Sequence, residues 1–244
     1  PPGADAKQAL PAVLIAHGGP WVRGGSLRWS EQAQFFATRG WRVLEPEFRG
    51  SRGYGIKHFR AGWKQWGGAM QDDLVDTVQW AAKQGLVDPA RVCIVGASYG
   101  GYAALMAPIV HPGVFKCAAS FVCVTDINLM YDISWSDLSE DWRRYGMPTL
   151  IGDQDKDAAL LAASSPLKRV AELKIPVLVT HGGEARRVPI EHSRKFVNAA
   201  RSAGVAVQSH EYLDEGHGFF NPANEADHYR RLETFLRQYL DPPI

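Results

Sequence analysis

The chain has 244 residues, 45% hydrophobic and 22% charged, with a formal net charge of +1, a balance that supports a sizeable buried core. Lys and Arg form no basic stripe, which argues against nucleic acid or an anionic membrane as the main partner. No apolar run nears the ~18 residues of a membrane span and no charged start precedes an apolar segment, so neither a spanning helix nor a signal peptide is read, and a cytoplasmic location is expected.

Pro1-Pro2-Gly3 reads as a linker just ahead of the first strand, as if the chain were cut from something longer. Ala12–Ala16 is a continuous apolar run that ends in His17-Gly18-Gly19-Pro20. Ser30 can cap a helix with Ala33, Phe36 and Ala37 on one face, and Gly40 ends it. Arg42–Leu44 is a second strand, and the Gly-flanked stretch holding Arg49 and Tyr54 reads as a structural turn. Leu74, Val75, Val78 and Ala82 make a helical stripe, stopped by Gly85 and an Asp88-Pro89 turn. The strand Val92–Val95 runs into Gly96-Ala97-Ser98-Tyr99-Gly100-Gly101 and then into Ala103-Ala104-Leu105-Met106, a third helix.

Ala118–Val122 is the next strand. From about 125 to 170 the rhythm fails, in a stretch rich in Trp, Tyr, Asp and Ser where short helices over the active-site edge are expected. Val177–Thr180, a helix carrying Phe196, Val197 and Ala200 up to Gly204, and Val205–Tyr212 restore the rhythm. A last helix carries Tyr229, Leu232, Phe235, Leu236 and Tyr239. Most strands are apolar on both faces, so the class is α/β, a mostly parallel, doubly wound sheet flanked by helices. Cys93, Cys117 and Cys123 are odd in number and irregular in spacing, which favours buried thiols over a disulfide scaffold.

Three stretches carry chemistry. Gly96-Ala97-Ser98-Tyr99-Gly100 is a G-x-S-x-G turn between a strand and a helix, the setting of a nucleophile elbow. Its glycines permit a sharp turn that points the Ser98 hydroxyl off the sheet, at the positive end of a helix. His17-Gly18-Gly19 follows an early strand, so the N–H groups of Tyr99 and Gly18 are the candidate oxyanion donors. Of the eight histidines, His217 alone sits on a glycine-flanked loop between the last strand and the last helix, the position of a general base. Asp214 and Glu215 beside it read as solvated loop charges. His58, His111, His192, His210 and His228 have no such motif around them. No clustered ligand set suggests a metal, and no cofactor is called for.

Taken together, H-G-G-P at 17–20, F-R-G-S-R-G-Y-G at 48–55, W-G-G-A-M-Q-D-D at 66–73, G-A-S-Y-G-G at 96–101, H-G-G-E at 181–184, R-V-P at 187–189 and D-E-G-H-G-F at 214–219 resemble the prolyl oligopeptidase family, including its dipeptidyl peptidase and acylaminoacyl peptidase branches. The resemblance runs in order along nearly the whole chain. It implies an α/β-hydrolase catalytic domain over 1–244 and a serine peptidase acting on short peptides. It also implies a substrate-filtering β-propeller ahead of this domain, which this chain does not contain. Self-association is left open.

The family's acid lies four residues after the histidine of the H-G motif. That histidine is His181, and position 185 is Ala185, which can neither accept a hydrogen bond nor hold an imidazole tautomer. An Asp→Ala change that spares every neighbouring motif residue accounts for this better than natural decay, which would also erode Ser98 or His217. Glu184 is a poor substitute, since neighbouring side chains on an extended loop point apart. By the same resemblance Tyr99 is the aromatic of the primary pocket; by position Val124, Tyr131, Trp135 and Val188 fall beside it, with core packing the alternative for Tyr131 and Trp135, and such an apolar lining suits proline or a small to medium apolar side chain. An esterase or lipase on the same machinery, or a catalytically dead peptide-binding module, are the rival readings.

Overall fold

Side chains alternate across a strand, and in this chain both sets are apolar. Ala12, Leu14, Val92, Ile94, Val177 and Val179 fall in one buried cluster, while Val13, Ile15, Cys93, Val95, Ala119 and Leu178 fall in another. Such strands need cover on both sides, which dictates a three-layer architecture. The computed structural model describes residues 1–5, 8–25 and 28–241. Its strands are β1 (Leu10–Ala16), β2 (Arg42–Leu44), β3 (Val87–Ala97), β4 (Cys117–Phe121), β5 (Val177–Gly182) and β6 (Val207–Tyr212). They form one sheet in the order β2-β1-β3-β4-β5-β6, with every neighbouring pair parallel.

Helices α3 (Ala69–Lys83), α4 (Tyr99–Val110) and α8 (Glu191–Ser202) supply Leu74, Val78, Ala104, Phe196 and Val197 to the first cluster. Helices α1 (Glu31–Ala37) and α9 (Pro222–Leu240) supply Phe36, Leu232, Phe235, Leu236 and Leu240 to the second. The predicted cap holds, since Ser30 Oγ accepts from the Ala33 N–H. A short helix, α2 (Ile56–Ala61), follows the Arg49–Tyr54 turn. Arg49 forks onto Asp73 of α3 at 2.6 and 2.8 Å, in keeping with a structural role.

The segment from 125 to 170 is built of short pieces, as expected: α5 (Ile127–Asp132), a π-turn at Trp142–Gly146, α6 (Met147–Leu150), α7 (Ala158–Ala163) and a 3₁₀ turn at Pro166–Glu172. Arg143 ties them together by donating to the carbonyls of Met130 and Ile133.

Two expectations need correction. The Asp88-Pro89 turn lies inside β3, as a bulge: pairing passes from Leu10↔Val87 to Ala12↔Val92, two residues along β1 against five along β3. Asp88 closes the bulge by accepting from the Ala90 N–H and the Arg91 Nε–H. Cys93 and Cys117 are not separate thiols but a disulfide. Parallel pairing of β3 with β4 sets them opposite each other on the α1/α9 face, with Cα atoms 4.9 Å apart. Cys123 is the free, buried thiol. Among the described residues no helix is long and apolar enough to cross a membrane.

Candidate active site

In an all-parallel sheet the loops leaving the carboxyl ends of the strands share one edge. From β1 the chain passes to β2 on one side, and β3 lies on the other, so the loops after β1 and β3 flank the switch point where such sheets place their sites. The loop after β1 carries His17 and Gly18, and the turn after β3 carries Ser98.

Ser98 has φ +59° and ψ −120°, a strained conformation for a residue with a side chain. Two main-chain hydrogen bonds hold it there. The Ser98 N–H donates to Phe121 O at 3.0 Å, and Ser98 O accepts from the Tyr102 N–H at 3.0 Å in the first turn of α4. A Cβ at Gly96 or Gly100 would collide with backbone, the latter with Ala16 O, so both positions require glycine. Ser98 caps α4 without using its hydroxyl as the cap, which leaves that hydroxyl free for other work.

Gly18 packs directly on this turn: a Cβ there would lie 3.6 Å from Ser98 Cβ and 3.1 Å from Ala97 O. His17 braces the turn. Its Nδ1–H donates to Gly18 O at 2.7 Å, so Nε2 accepts from Ser51 Oγ at 2.9 Å, and its ring stacks on Phe48. Burial pushes the His17 pKa down, which keeps this acceptor role intact. Further along the same loop, the Gly24 and Gly25 N–H groups both donate to the Glu47 carboxylate.

The loops after β5 and β6 are zipped to each other. Gly183 N–H donates to Tyr212 O, Glu184 N–H to Glu215 O, and Ala185 N–H to Gly182 O. Gly182 lies so close to the Glu215 and Gly216 carbonyls that no side chain fits there. This zipper brings position 185 and His217 to the same edge. Ala185 is fully buried. His217 is half-buried, and its Nδ1 is buried with no hydrogen-bond partner among the described residues. Burial lowers the His217 pKa first, the Arg187 guanidinium lowers it further, and Asp137 raises it. Phe219, two residues on, stacks on Phe121, whose carbonyl holds the Ser98 N–H, so the His217 loop and the Ser98 turn share a wall. The Glu184 side chain is exposed and makes no hydrogen bond among the described residues.

Glu215 is not the solvated charge its neighbours suggested. It is fully buried, and its carboxylate accepts from the Phe220 N–H at 2.7 Å, the Asn221 N–H at 3.0 Å and Asn224 Nδ2 at 2.8 Å. The Phe220 bond leads in holding its pKa below the usual carboxylate value. Asp214 stays exposed. His181 is a brace as well: its Nε2–H donates to Val188 O, its Nδ1 accepts from Ser193 Oγ, and burial pulls its pKa down to about 4.

The residues expected along the substrate pocket separate. Tyr99 is buried among Phe48, Trp66 and Tyr102, with its hydroxyl accepting from Gln71 Nε2, so its side chain belongs to the core. Val124 and Val188 are buried in the same cluster. Tyr131 is half-buried, bonded to Gly152 O, and Trp135 is exposed. Sequence reasoning missed Arg187, Asp137 and Trp142, which line a cavity of about 330 Å³ beside His217. Arg187 forks onto Asp137 at 2.6 and 3.2 Å. Trp142 packs edge-on against Trp21, which follows the His17-Gly18-Gly19-Pro20 turn. The R-V-P stretch two residues after Ala185 was the available signal for Arg187; Trp142 had none beyond being aromatic.

The profile of the prolyl oligopeptidase family matches residues 27–243. Over 97% of its length the chain is 37% identical to dipeptidyl aminopeptidase BIII of Pseudoxanthomonas mexicana, covering 34% of that protein. Over 93% of its length it is 31% identical to dipeptidyl peptidase family member 6 of Caenorhabditis elegans, covering 31% of it. Among solved structures, a puromycin-hydrolyzing peptidase of Mycobacterium tuberculosis superposes with a TM-score of 0.85 at 28% identity, over 96% of this chain and 34% of that one. The chain thus spans about a third of the length of the relatives it matches.

Proposed function

The chain belongs to the prolyl oligopeptidase family, and from that premise we propose that it is the catalytic unit of a serine peptidase for short peptides, of dipeptidyl- or acylaminoacyl-peptidase type, whose triad acid is replaced by Ala185. In the intact site Ser98 Oγ attacks a peptide carbonyl while His217 takes its proton. The Tyr99 and Gly18 N–H groups receive the oxyanion, His217 protonates the leaving amine, and water releases the acyl group by the same route. The acid's part is to accept from His217 Nδ1–H, which fixes the tautomer and stabilises the imidazolium that forms.

One observation carries this reading: among the described residues His217 Nδ1 is a buried polar atom without a partner, on a loop zipped to the loop that holds the fully buried Ala185. A buried unpaired ring nitrogen is costly, and a carboxylate at 185 is the group that would satisfy it. Without it the site keeps nucleophile, base and oxyanion donors, so this form is a strongly impaired enzyme.

The test is hydrolysis of a dipeptidyl anilide by the chain and by its Ala185→Asp variant. A rise in turnover on the order of 10⁴ is expected, the scale that accompanies loss of a triad acid. The new carboxylate also raises the His217 pKa, so the acid limb of the pH–rate profile moves up from below 6.5. No gain from a folded variant overturns the assignment of 185 and favours a peptide-binding module. A gain confined to short acyl esters favours the esterase reading.

A further inference from the structure

Behind both catalytic loops, on the α1/α9 face of the sheet, lies a cavity of about 290 Å³. It forms because small residues meet where α9 leaves the sheet. Toward the amino ends of the strands Leu232, Phe235 and Leu236 fill the space over Cys93 and Cys117, whereas at the carboxyl ends the floor is Gly96, Ala97 and Ala119. The walls are aromatic: Phe121 and Phe219, stacked with ring centroids 4.8 Å apart, and Tyr229. Gln32 and the exposed Glu225, from the starts of α1 and α9, complete the lining.

One polar side chain within is unaccounted for. His228 is buried, and its Nδ1 pairs with Thr180 Oγ1 at 3.2 Å. Its Nε2 has no hydrogen-bond partner among the described residues, and the ring lines the cavity. Burial pulls its pKa down to about 4, so the imidazole is neutral at pH 7. Depending on which way the Thr180 hydroxyl turns, Nε2 is a donor or an acceptor. A guest hydroxyl serves either case, because it can both donate and accept. A charged guest would lose its hydration among apolar walls, and the one charged residue of the lining, Glu225, is exposed to solvent. A flat ring matches the aromatic lining, and the volume exceeds the about 150 Å³ that suffices for benzene in an engineered apolar cavity.

We propose that this cavity is a binding site for a small neutral phenol, with its hydroxyl on His228 and its ring among Phe121, Phe219 and Tyr229. The site is separate from the peptide cleft yet shares its walls with the elbow and the base loop, through Gly96, Ala97 and Gly218.

The experiment compares p-cresol with toluene, which has the same shape without the hydroxyl, by calorimetric titration and by NOEs to the Phe121 and Phe219 rings. p-Cresol is expected to bind at least tenfold more tightly than toluene. His228→Phe should bring the two together, and Ala119→Leu, which fills the floor, should remove both. Equal binding of the two probes, NOEs to Trp142 or Tyr131 instead, or a His228→Phe variant that keeps the preference would each overturn the proposal. If Ala119→Leu does not fold, the His228→Phe comparison still decides. No hydrolysis is involved, so the outcome is independent of the peptidase reading.

Discussion

The turn after β3 and the paired loops after β5 and β6 stand at the same edge of the sheet, yet they are built in different ways. The elbow is made of backbone. Its strain at Ser98 is held by main-chain hydrogen bonds to Phe121 and Tyr102 and by two glycines pressed against carbonyls. The paired loops are also zipped by main-chain bonds, but what they deliver rests on single side chains: position 185, His217, and Glu215 beneath them. A backbone device fails by unfolding. A side-chain device can lose its chemistry and keep its fold, which is what we propose for the loop that presents Ala185.

The sharpest way to break this contrast is to add one methyl group to the elbow. Gly100→Ala would drive a Cβ into Ala16 O, a main-chain atom held in the sheet that cannot move aside. Overpacking against backbone in the core belongs to the severe class of substitutions, and a loss of about 4 kcal/mol or more is expected, read from urea unfolding. A variant within about 1 kcal/mol of the parent would mean that the elbow is as tolerant as its neighbours.

Acid should expose the other half. His181 on β5, His192 on α8 and His228 on α9 are all deeply buried, and burial lowers their pKa values to about 4, 3 and 4. All three belong to the side that carries the paired loops. In the unfolded chain each takes up a proton near pH 6.5, while in the fold each stays neutral to a much lower pH. The unfolded state therefore binds more protons below 6.5, and stability falls as pH drops from 6.5 toward 4. The slope reaches about 1.4 kcal/mol per pH unit for each histidine, about 4 for the three. Urea midpoints at pH 7.5 and 5.0 measure this directly, and equal midpoints would show that these rings can be protonated in place.

How much of this could be read in advance divides along similar lines. Apolar strands and glycine turns depend on local chemistry, so β2 is found at Arg42–Leu44 as predicted and the Ser30 cap holds. Chain order and glycine context single out Ser98 and His217 in the sequence, and the fold sets Ser98 on a strained strand-to-helix turn and His217 on a loop after β6. The Cys93–Cys117 disulfide was not, since it depends on the register of β3 against β4, which no local pattern encodes. Tyr99 was expected beside the substrate, but three aromatic rings close over it: Phe48 from the turn before α2, Trp66 from the turn before α3 and Tyr102 of α4. Glu215 looks like any loop acid until three donors converge on it.

Glu215 also supplies the finest test of the contrast. Its carboxylate gathers the Phe220 and Asn221 N–H groups and Asn224 Nδ2, which ties the end of the His217 loop to the first turn of α9. These bonds favour the ionised form, so the brace is in place across the neutral range. Glu215→Ala removes the acceptor of the Phe220 and Asn221 N–H groups and leaves Asn224 Nδ2 with Asp214 alone, which frees the loop to shift and moves the imidazole relative to Ser98. Misplacement of a catalytic group by about 1 Å costs up to about 10²-fold. In the Ala185→Asp background turnover should therefore fall ten- to a hundredfold, with KM for a dipeptidyl anilide less affected. Glu215→Gln keeps one acceptor oxygen and should fall between the two. The same substitution cannot be matched at the elbow, where no side chain holds the nucleophile. If Glu215→Ala turns over as fast as its parent, the main-chain zipper alone positions His217, and the two regions are built alike after all.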